Sequence, residues 1–460
     1  MRNVIKLICL ILILCFLATG CGKLKETEEI EEISVSVSNW PSSRNKASLK
    51  LYKKHLEEMK KLYPNINIIP DEWQYDVNAF LPKAANGQLP TVFLTYFTET
   101  QKMIDGGYAK DITEEVKKAG YDKLYNDVYM NLLKKNDRYF GLVKSGYIMG
   151  LLCNVKLFKE SGLVDGKGVP LFPESFDELV NVAKTIKEKT GKAGFYMPTT
   201  NNQGGWIFCN IAWAFGTEFE KQINGQWMAT FDSEECYNAL KYVRDLKWEH
   251  GVLQEDILGD ASNGFLNMFA EDEVAMGIQA PYTVNNVIKE DKMDKDNVSV
   301  SRIPKGPVMR ASLQGGGVYI FSSTATAQEV AAAFKWLEVT GGIPTNSEST
   351  KNAWESAAKS LSEDGGIVGY GNIYIFADEK LAKIKNKAEE PYIAVAPEMF
   401  DDYHSMKDVT VKSEPAVCAQ ELYAVFDRIL QKILTDENAD IRMILKQEEE
   451  MFQLKYLDKR

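Results

Sequence analysis

The chain has 460 residues, of which 45% are hydrophobic, 26% charged and 11% aromatic. This composition is that of a globular protein, so it excludes a disordered chain, a collagen and a disulfide-stapled scaffold, and the length allows about two or three domains. The formal net charge is -11, and because an acidic chain repels phosphate backbones, we do not expect nucleic acid to be its partner.

The first twenty residues have the pattern of a secretory signal peptide. Arg2 and Lys6 precede an apolar run from Leu7 to Leu17, which is shorter than the about 20 residues that a permanent membrane-spanning helix needs. Small residues then lead to Cys21. This stretch resembles the lipobox of bacterial lipoproteins, which implies removal of residues 1–20 and lipid attachment at Cys21. The alternative is an ordinary secretory signal in which Cys21 is coincidental.

A charged segment follows the predicted cleavage site. Between Gly22 and Glu32 the chain is polar and rich in glutamate, and like charges favour an extended, solvated segment. We therefore expect residues 21–33 to be a tether that holds a globular body near the membrane through the lipid on Cys21. No later stretch has 18 apolar residues in a row, so no further membrane segment is expected.

The next part of the chain alternates between strand and helix patterns. The predicted elements are a strand at 33–38, a helix at 49–63, a strand at 66–69, a helix at about 76–86 and a strand at 92–97. Such a β-α-β-α-β order predicts parallel strands with helices on both faces. Ligands bind beyond the carboxyl ends of strands in sheets of this kind. The side chains at or just after those ends are Trp40, Tyr96, Thr98 and Glu99.

A second α/β unit is predicted farther along the chain. Its strands are expected at 147–154, 193–197, 274–279, 298–303 and 313–321. Capping patterns at Ser175, Asp232 and Thr326 predict the starts of three helices. A polar loop with Asn201 and Asn202 leads to Trp206, and Tyr282 follows the strand at 274–279. The rest of the chain is predicted to be largely helical.

The sequence lacks the common signatures of catalysis. Its histidines, His55, His250 and His404, have no metal-ligand spacing, and no H-E-x-x-H, G-x-S-x-G or nucleotide-binding glycine motif occurs. A glycosidase carboxylate pair stays open, because only two of the 65 acidic residues need to meet in space. We expect no enzyme, no cofactor and no metal site.

The cysteines beyond the signal do not form a recognisable framework. They are widely spaced and include no C-x-x-C pair, which is typical of small buried apolar residues rather than of a disulfide or zinc scaffold. These residues are Cys153, Cys209, Cys236 and Cys418.

Aromatic and amide side chains at the predicted strand ends point to a binding site. Rings cover the apolar faces of a sugar, while carboxylates and amides bond to its hydroxyl rim. Each of the aromatic residues taken alone is also typical of a hydrophobic core, so the prediction depends on their common position. The predicted ligand-binding residues are Trp40, Tyr96, Thr98, Glu99, Asn201, Asn202, Trp206 and Tyr282.

Several stretches resemble the family 1 extracellular solute-binding proteins of ABC transporters, relatives of maltose-binding protein. They lie within residues 34–435, and the most specific are Asp71–Asp76, Gly87–Pro90, Thr95–Glu99, Gly107–Thr113, Thr199–Trp206, Ala275–Tyr282 and Ala332–Leu337. The resemblance implies a type II, periplasmic-binding-protein-like α/β fold with two hinge-linked lobes. It places the hinge crossings near 144–147 and 314–317. Leu142-Val143 departs from the Leu-Pro of close relatives at the first crossing.

The resemblance also implies domain boundaries and a role. Residues 34–143 with 318–345 form the first lobe, 144–317 the second, and 346–460 a mainly helical C-terminal region on the lobes. The implied role is an extracytoplasmic, monomeric lipoprotein that captures a carbohydrate by hinge closure and delivers it to an ABC permease. A lipoprotein that senses a ligand and signals to a membrane kinase, a secreted glycan-active enzyme, and a binder of peptides or polyamines are the alternatives.

Overall fold

The structure is a computed structural model that describes residues 32–77, 79–259, 264–345, 348–369 and 376–459. The predicted signal peptide, the lipidation site at Cys21 and all but the end of the tether lie outside the described residues. Within the described ranges, none of the helices has both the length and the apolar character needed to cross a membrane.

The strands and helices alternate through most of the chain. The strands are β1 (Ile33–Val37), β2 (Ile66–Pro70), β3 (Val92–Tyr96), β4 (Lys134–Lys135), β5 (Arg138–Tyr139), β6 (Gly141–Ile148), β7 (Gly150–Asn154), β8 (Glu220–Ile223), β9 (Gln226–Ala229), β10 (Met276–Gln279), β11 (Val298–Ser301), β12 (Arg310–Phe321) and β13 (Val409–Ser413). The helices of the first half are α1 (Lys46–Leu62), α2 (Phe80–Ala85), α3 (Thr100–Asp105), α4 (Thr113–Ala119), α5 (Asp127–Met130), α6 (Val155–Glu160), α7 (Phe176–Thr190) and α8 (Gln203–Phe215). Those of the second half are α9 (Glu234–Trp248), α10 (Gly264–Ala270), α11 (Thr283–Lys289), α12 (Ala327–Val339), α13 (Glu348–Glu363), α14 (Glu379–Glu389), α15 (Asp401–Ser405), α16 (Ala419–Thr435) and α17 (Ile441–Phe452).

The largest sheet has the strand order β13-β12-β3-β1-β2, and β6 also pairs with β12. β1 is parallel to both β2 and β3, which confirms the parallel arrangement predicted for the first β-α-β-α-β segment. A second sheet has the order β10-β7-β11, and both of its pairings are antiparallel. The two sheets supply the frameworks of two α/β units.

The strand β12 takes part in three pairings. Its C-terminal part, residues 317–321, is antiparallel to β3, and its first part, residues 310–314, is parallel to β13. Residues 314–320 of β12 are also antiparallel to β6, and in this pairing Gln314 to Gly317 face Ile148 to Ser145. The two segments predicted as hinge crossings are therefore hydrogen-bonded to each other as neighbouring strands.

Glycines in β12 let the backbones at this crossing approach closely. A Cβ atom on Gly316 would lie 2.1 Å from the carbonyl oxygen of Ser145 and 2.5 Å from the ring of Phe97. Any larger residue would push the paired strands apart, because no side chain tolerates so short a contact. Gly317 has no such restriction, since its nearest neighbour would be the Ser145 hydroxyl at 3.4 Å.

The buried apolar residues fall into separate clusters. The first core joins residues 35–143 to 318–343, and the second core joins residues 149–313 to 418–457. A smaller third core joins residues 148–300 to 367–403. The first and second cores lie on opposite sides of the β6–β12 crossing, so the apolar packing changes from one body to the other where the chain passes through these strands.

Some local predictions are confirmed and others are wrong. Ser175 and Thr326 cap α7 and α12 as predicted, and Thr326 forms a complete capping box with Glu329. Ser233 rather than Asp232 caps α9, since its hydroxyl accepts the amide hydrogen of Cys236. The strand predicted at 193–197 is reduced to isolated bridges, because Ala193 and Phe195 each pair with a single residue. β13 was not predicted.

The cysteines match the expectation of buried apolar residues. Cys153, Cys209 and Cys236 are free thiols buried in the second core, and burial raises the pKa of each thiol well above its ordinary value. Cys418 is buried in the same core.

Candidate ligand-binding cleft

A cleft runs along the β6–β12 crossing and contains two overlapping pockets. The aromatic pocket, of about 300 Å³, lies around Tyr147, Trp206 and Glu414. The central pocket, of about 640 Å³, lies between that region and Trp354 of α13. The residues that line both pockets are Tyr75, Tyr96, Tyr147, Tyr282 and Gly316.

The cleft continues past the crossing strands into an outer pocket of about 410 Å³. This pocket is lined by residues of the C-terminal region, including Trp354, Phe376 and His404, and by Tyr125. Lys144 of β6 lines both the outer and the central pocket. The three pockets together therefore form one continuous groove whose walls come from both sides of the crossing and from the C-terminal helices.

Six of the eight residues predicted as ligand contacts line the aromatic pocket. They come from sequence positions far apart, and the fold brings them to one place. They are Tyr96, Thr98, Asn201, Asn202, Trp206 and Tyr282.

Tyr147, which the sequence analysis did not select, is the centre of the aromatic wall. Its ring meets that of Tyr282 edge to face at a centroid distance of 5.3 Å and that of Trp206 at 6.5 Å. Edge-to-face contacts of this kind hold rings in fixed orientations. The exposed fraction of Tyr282 is 51%, and that of Tyr96 across the pocket is also 51%, so both present large apolar surfaces to the cleft.

The wall that carries Trp206 is the first turn of α8. Asn201 and Asn202 precede this helix in left-handed backbone conformations, with φ of 58° and 64°, which asparagine tolerates better than most residues. The carboxylate of Asp427 in α16 accepts hydrogen bonds from the amides of Asn202 at 2.7 Å and Gly205 at 2.8 Å. α16 thus caps the helix start that presents Trp206 to the cleft.

Close packing of α16 on α8 requires glycine at two positions. A Cβ atom on Gly204 would lie 2.6 Å from an oxygen of Asp427, and one on Gly205 would lie 2.3 Å from the carbonyl oxygen of Tyr423. These contacts explain why glycine occupies both positions 204 and 205 at the start of α8.

Glu99 lies behind the cleft wall instead of lining it. Its side chain is buried, accepts a hydrogen bond from the Tyr75 hydroxyl at 2.5 Å and pairs with Lys102 at 3.3 Å. Burial and the neighbouring carboxylate raise the pKa of Tyr75 far above its ordinary value. Glu99 therefore orients the Tyr75 ring, which does line the pocket, and the prediction of Glu99 as a direct contact is corrected to this indirect role.

Trp40 does not reach the cleft. It is 7% exposed, stacks on Trp336 at a centroid distance of 5.6 Å and meets Tyr52 edge to face at 4.9 Å, all within the first core. The chain turns after β1 and carries the indole back into the apolar interior. The prediction of Trp40 as a ligand contact is therefore wrong, and the alternative of a core aromatic holds at this position.

Glu414 is an acidic residue of the aromatic pocket that the sequence analysis missed. Its carboxylate accepts a hydrogen bond from the Tyr423 hydroxyl at 3.0 Å. Burial of the carboxylate raises its pKa to about 8. The hydrogen bond from Tyr423 acts in the opposite direction, and the negative charge of Glu99 adds a smaller increase. Glu414 follows the unpredicted strand β13, so no sequence signal placed it at the cleft.

Two threonine hydroxyls of the cleft have no hydrogen-bond partner among the described residues. Thr95, which is 3% exposed, lines the central pocket, and Thr98 lines the aromatic pocket. A buried hydroxyl without a partner costs about 1–3 kcal/mol. A ligand hydroxyl or an ordered water that bonded to them would recover this energy.

The described part of the chain offers no group of three or more histidine, cysteine, aspartate or glutamate side chains arranged to hold a metal ion. The cleft instead has aromatic faces, amides, hydroxyls and a few carboxylates. Such a surface suits reversible binding of a hydroxylated molecule by stacking and hydrogen bonding.

Comparisons with known proteins agree with this arrangement. The fold matches a solute-binding protein of an ABC transporter from Thermotoga lettingae, solved with α-D-tagatose, with a TM-score of 0.67 and 16% identity over 92% of this chain and 98% of that one. MalE3 of T. maritima, solved with maltose, gives a TM-score of 0.66 and 19% identity over 92% and 99% of the two chains. UgpB from Mycobacterium tuberculosis, in complex with glycerophosphocholine, gives a TM-score of 0.66 and 14% identity over 92% of this chain and 98% of that one.

These likenesses show that the chain has the two-lobed fold of type II periplasmic binding proteins. The sequence matches the bacterial extracellular solute-binding protein family over residues 44–342, and the chain belongs to that family. A putative binding protein of Brucella abortus (strain 2308) is 24% identical over 225 residues, or 46% of this chain and 52% of that protein. The chain therefore spans about half the length of the curated relatives it matches.

Proposed function

We propose that the protein is the carbohydrate-capturing component of an ABC importer. It binds a mono- or oligosaccharide in the cleft and presents it to the membrane permease. The observation that carries this proposal is the aromatic pocket, in which the rings of Tyr147, Trp206 and Tyr282 meet and the amides of Asn201 and Asn202 adjoin them. Rings and amides in this proportion fit the apolar faces and hydroxyl rim of a sugar.

Binding proceeds by closure of the two lobes. The first lobe comprises residues 34–143 with 318–345, the second comprises 144–317, and the helical region 346–460 packs on them. The paired strands β6 and β12 act as the hinge. A ligand that touches both walls stabilises the closed form only by its preference for the closed over the open state. Tyr96 supplies the wall from the first lobe, and Trp206 and Tyr282 supply the wall from the second.

A lipid on Cys21 anchors this monomeric body to the outer face of the cell membrane. The tether of residues 21–33 keeps the closed, loaded protein at high local concentration near its permease. The protein performs no chemistry on the ligand, so the ligand leaves unchanged.

The test is a thermal-shift series on the body comprising residues 22–460, with mono- and oligosaccharides, polyamines and short peptides as probes. A ligand at a hundred times its Kd adds about 2.7 kcal/mol of stability, which raises Tm by a few degrees for domains of this size. We expect a shift with a saccharide that is recovered intact afterwards. A shift with polyamines or peptides alone would contradict the proposal, and consumption of the saccharide would indicate an enzyme.

A further inference from the structure

The aromatic pocket contains carboxylates but no basic side chain. Asp76 and Glu414 line it, and its described lining includes no lysine, arginine or histidine. Cations appear only farther along the groove, where Lys144 and Lys385 line the central and outer pockets. Lys385 is already paired with Glu389. At the end where the aromatic rings are concentrated, the described lining therefore offers acidic side chains and no basic ones.

No cation in the described lining of the aromatic pocket is available to pair with the carboxyl group of Glu414. The Tyr423 hydroxyl donates a hydrogen bond to it, and the negative charge of Glu99 disfavours its ionisation. An ionised carboxylate removed from water is unfavourable unless a positive group pairs with it. Burial of the carboxyl group is the main cause of its elevated pKa, about 8.

The surrounding groups suit a positive, hydroxylated ligand. Cations are attracted to the faces of tyrosine and tryptophan rings, most strongly where water is excluded. Tyr147, Trp206 and Tyr282 supply such rings beside Glu414. Thr98 lines the same pocket, and its buried hydroxyl lacks a hydrogen-bond partner in the described structure.

We propose that the preferred ligand is an amino sugar, whose protonated amine sits among the rings of the aromatic pocket and pairs with Glu414 while its hydroxyls bond to Thr98 and the neighbouring amides. This inference rests on the proposed carbohydrate-binding function and narrows its substrate class. An ammonium in this position would restore the ionised state of Glu414 and form a charge-assisted hydrogen bond with it.

Calorimetry with matched saccharides tests the inference on the body comprising residues 22–460. The probes are gluco-, galacto- and manno-configured sugars and their short oligomers, each with a free amine, an N-acetyl group or a hydroxyl at the same carbon. We expect the free amine to bind at least tenfold more tightly than its two neutral counterparts in one series. We also expect this preference to weaken as the salt concentration rises.

The variant Glu414→Gln keeps the shape of the side chain but prevents it from ionising when an amine binds. It should reduce the affinity for the amine at least tenfold and bring the ratio of the amine affinity to the neutral-sugar affinity close to one. Glu437→Gln, at an exposed position, is the matched control and should change neither value. The Tm of both variants reports whether the fold is intact.

The outcomes separate this inference from the proposed function. Tighter binding of a neutral sugar than of its amine, or an amine preference that survives Glu414→Gln, would overturn the amino-sugar inference and leave carbohydrate binding in place. Binding of spermidine with no saccharide bound would overturn both.

Discussion

Asn202 donates its backbone amide to the carboxylate of Asp427, 2.7 Å away and 225 residues later in the chain. The contact fixes the start of α8, the helix that presents Trp206 to the cleft, against α16 of the C-terminal region. Burial raises the pKa of Asp427, while the backbone hydrogen bonds from Gly205 and Asn202 act in the opposite direction. A helix near the end of the chain thus sets the geometry of the cleft wall that carries Trp206.

Replacing Asp427 with asparagine should lower both stability and affinity. The amide would offer one acceptor to two converging N–H groups and leave one of them unsatisfied, at a cost of about 2 kcal/mol. Chemical denaturation and saccharide titration measure the two effects. The control is Asp440→Asn, because Asp440 caps α17 away from the cleft and asparagine is an equally good cap. Equal behaviour of the two variants would show that the Asp427 contact is unimportant.

The glycines of β12 give a second prediction. Gly316→Ala should destabilise the protein by about 1–3 kcal/mol and alter binding, because its methyl group would collide with the carbonyl of Ser145 at the hinge. Gly317→Ala, one residue later, meets only ordinary contacts and should be close to neutral. Small-angle scattering with and without ligand would show whether Gly316→Ala also impairs closure. If both alanines are tolerated equally, the strands at the hinge are not as tightly packed as described.

Aromatic residues of the cleft and of the core should behave differently. Tyr282→Ala is expected to reduce saccharide affinity at least tenfold, or roughly 1.5–3 kcal/mol from lost ring contact, with little change in Tm because the ring is half exposed. Trp40→Phe should show the reverse, with a lower Tm and unchanged affinity, because Trp40 packs on Trp336 in the first core. Unchanged affinity in Tyr282→Ala would remove this residue from the site.

Two tyrosines of the outer pocket form a further matched pair. The Tyr125 hydroxyl is buried without a hydrogen-bond partner among the described residues, whereas the Tyr403 hydroxyl donates to the carbonyl of Ile148 at 3.0 Å. Tyr125→Phe should therefore hold or raise the free energy of unfolding, and Tyr403→Phe should lower it by about 1 kcal/mol. Denaturant titration distinguishes the two, and a clear loss of stability in Tyr125→Phe would reveal an unrecognised partner.

The elevated pKa of Glu414 makes stability depend on pH. In the folded protein this carboxyl keeps its proton up to about pH 8, whereas in the unfolded chain it loses the proton near its ordinary value of 4.5. The folded state therefore binds more protons, and this group's contribution to stability falls as pH rises from about 4.5 to 8. Glu414→Gln should remove that decline, so its Tm should exceed that of the parent by a few degrees at pH 8 and by less at pH 5. A constant difference across this range would contradict the raised pKa.

The features that the sequence predicts correctly are those that depend on neighbouring residues in the chain. Short-range periodicity predicts the parallel strands of the first unit and the helix caps at Ser175 and Thr326. The predicted strand ends and the polar loop likewise indicate the positions of Tyr96, Trp206 and Tyr282. Trp40 has the same local signature, but the direction in which the chain turns after β1 decides whether its ring enters the core. That direction depends on tertiary contacts with Trp336, nearly 300 residues away.

Residues contributed by the C-terminal region were the hardest to predict. Glu414 reaches the cleft because β13 joins β12, and Asp427 reaches its wall because α16 packs on α8. No local sequence pattern near these residues predicts that β13 pairs with β12 or that α16 packs on α8. The role of Glu99 was missed for a related reason, since only the position of Tyr75 shows that this carboxylate supports a ring instead of facing the ligand.

The long strand β12 and the helix α16 also determine when the protein is able to fold during its synthesis. The first core begins at residue 35 and needs the strand and helix at 318–343, so its N-terminal half has to wait while the whole intervening unit emerges. The second core begins at residue 149 and is completed only by residues 418–457. A nascent chain therefore cannot complete the first core before residue 343 has been made, and the second core stays unfinished until residues 418–457 appear.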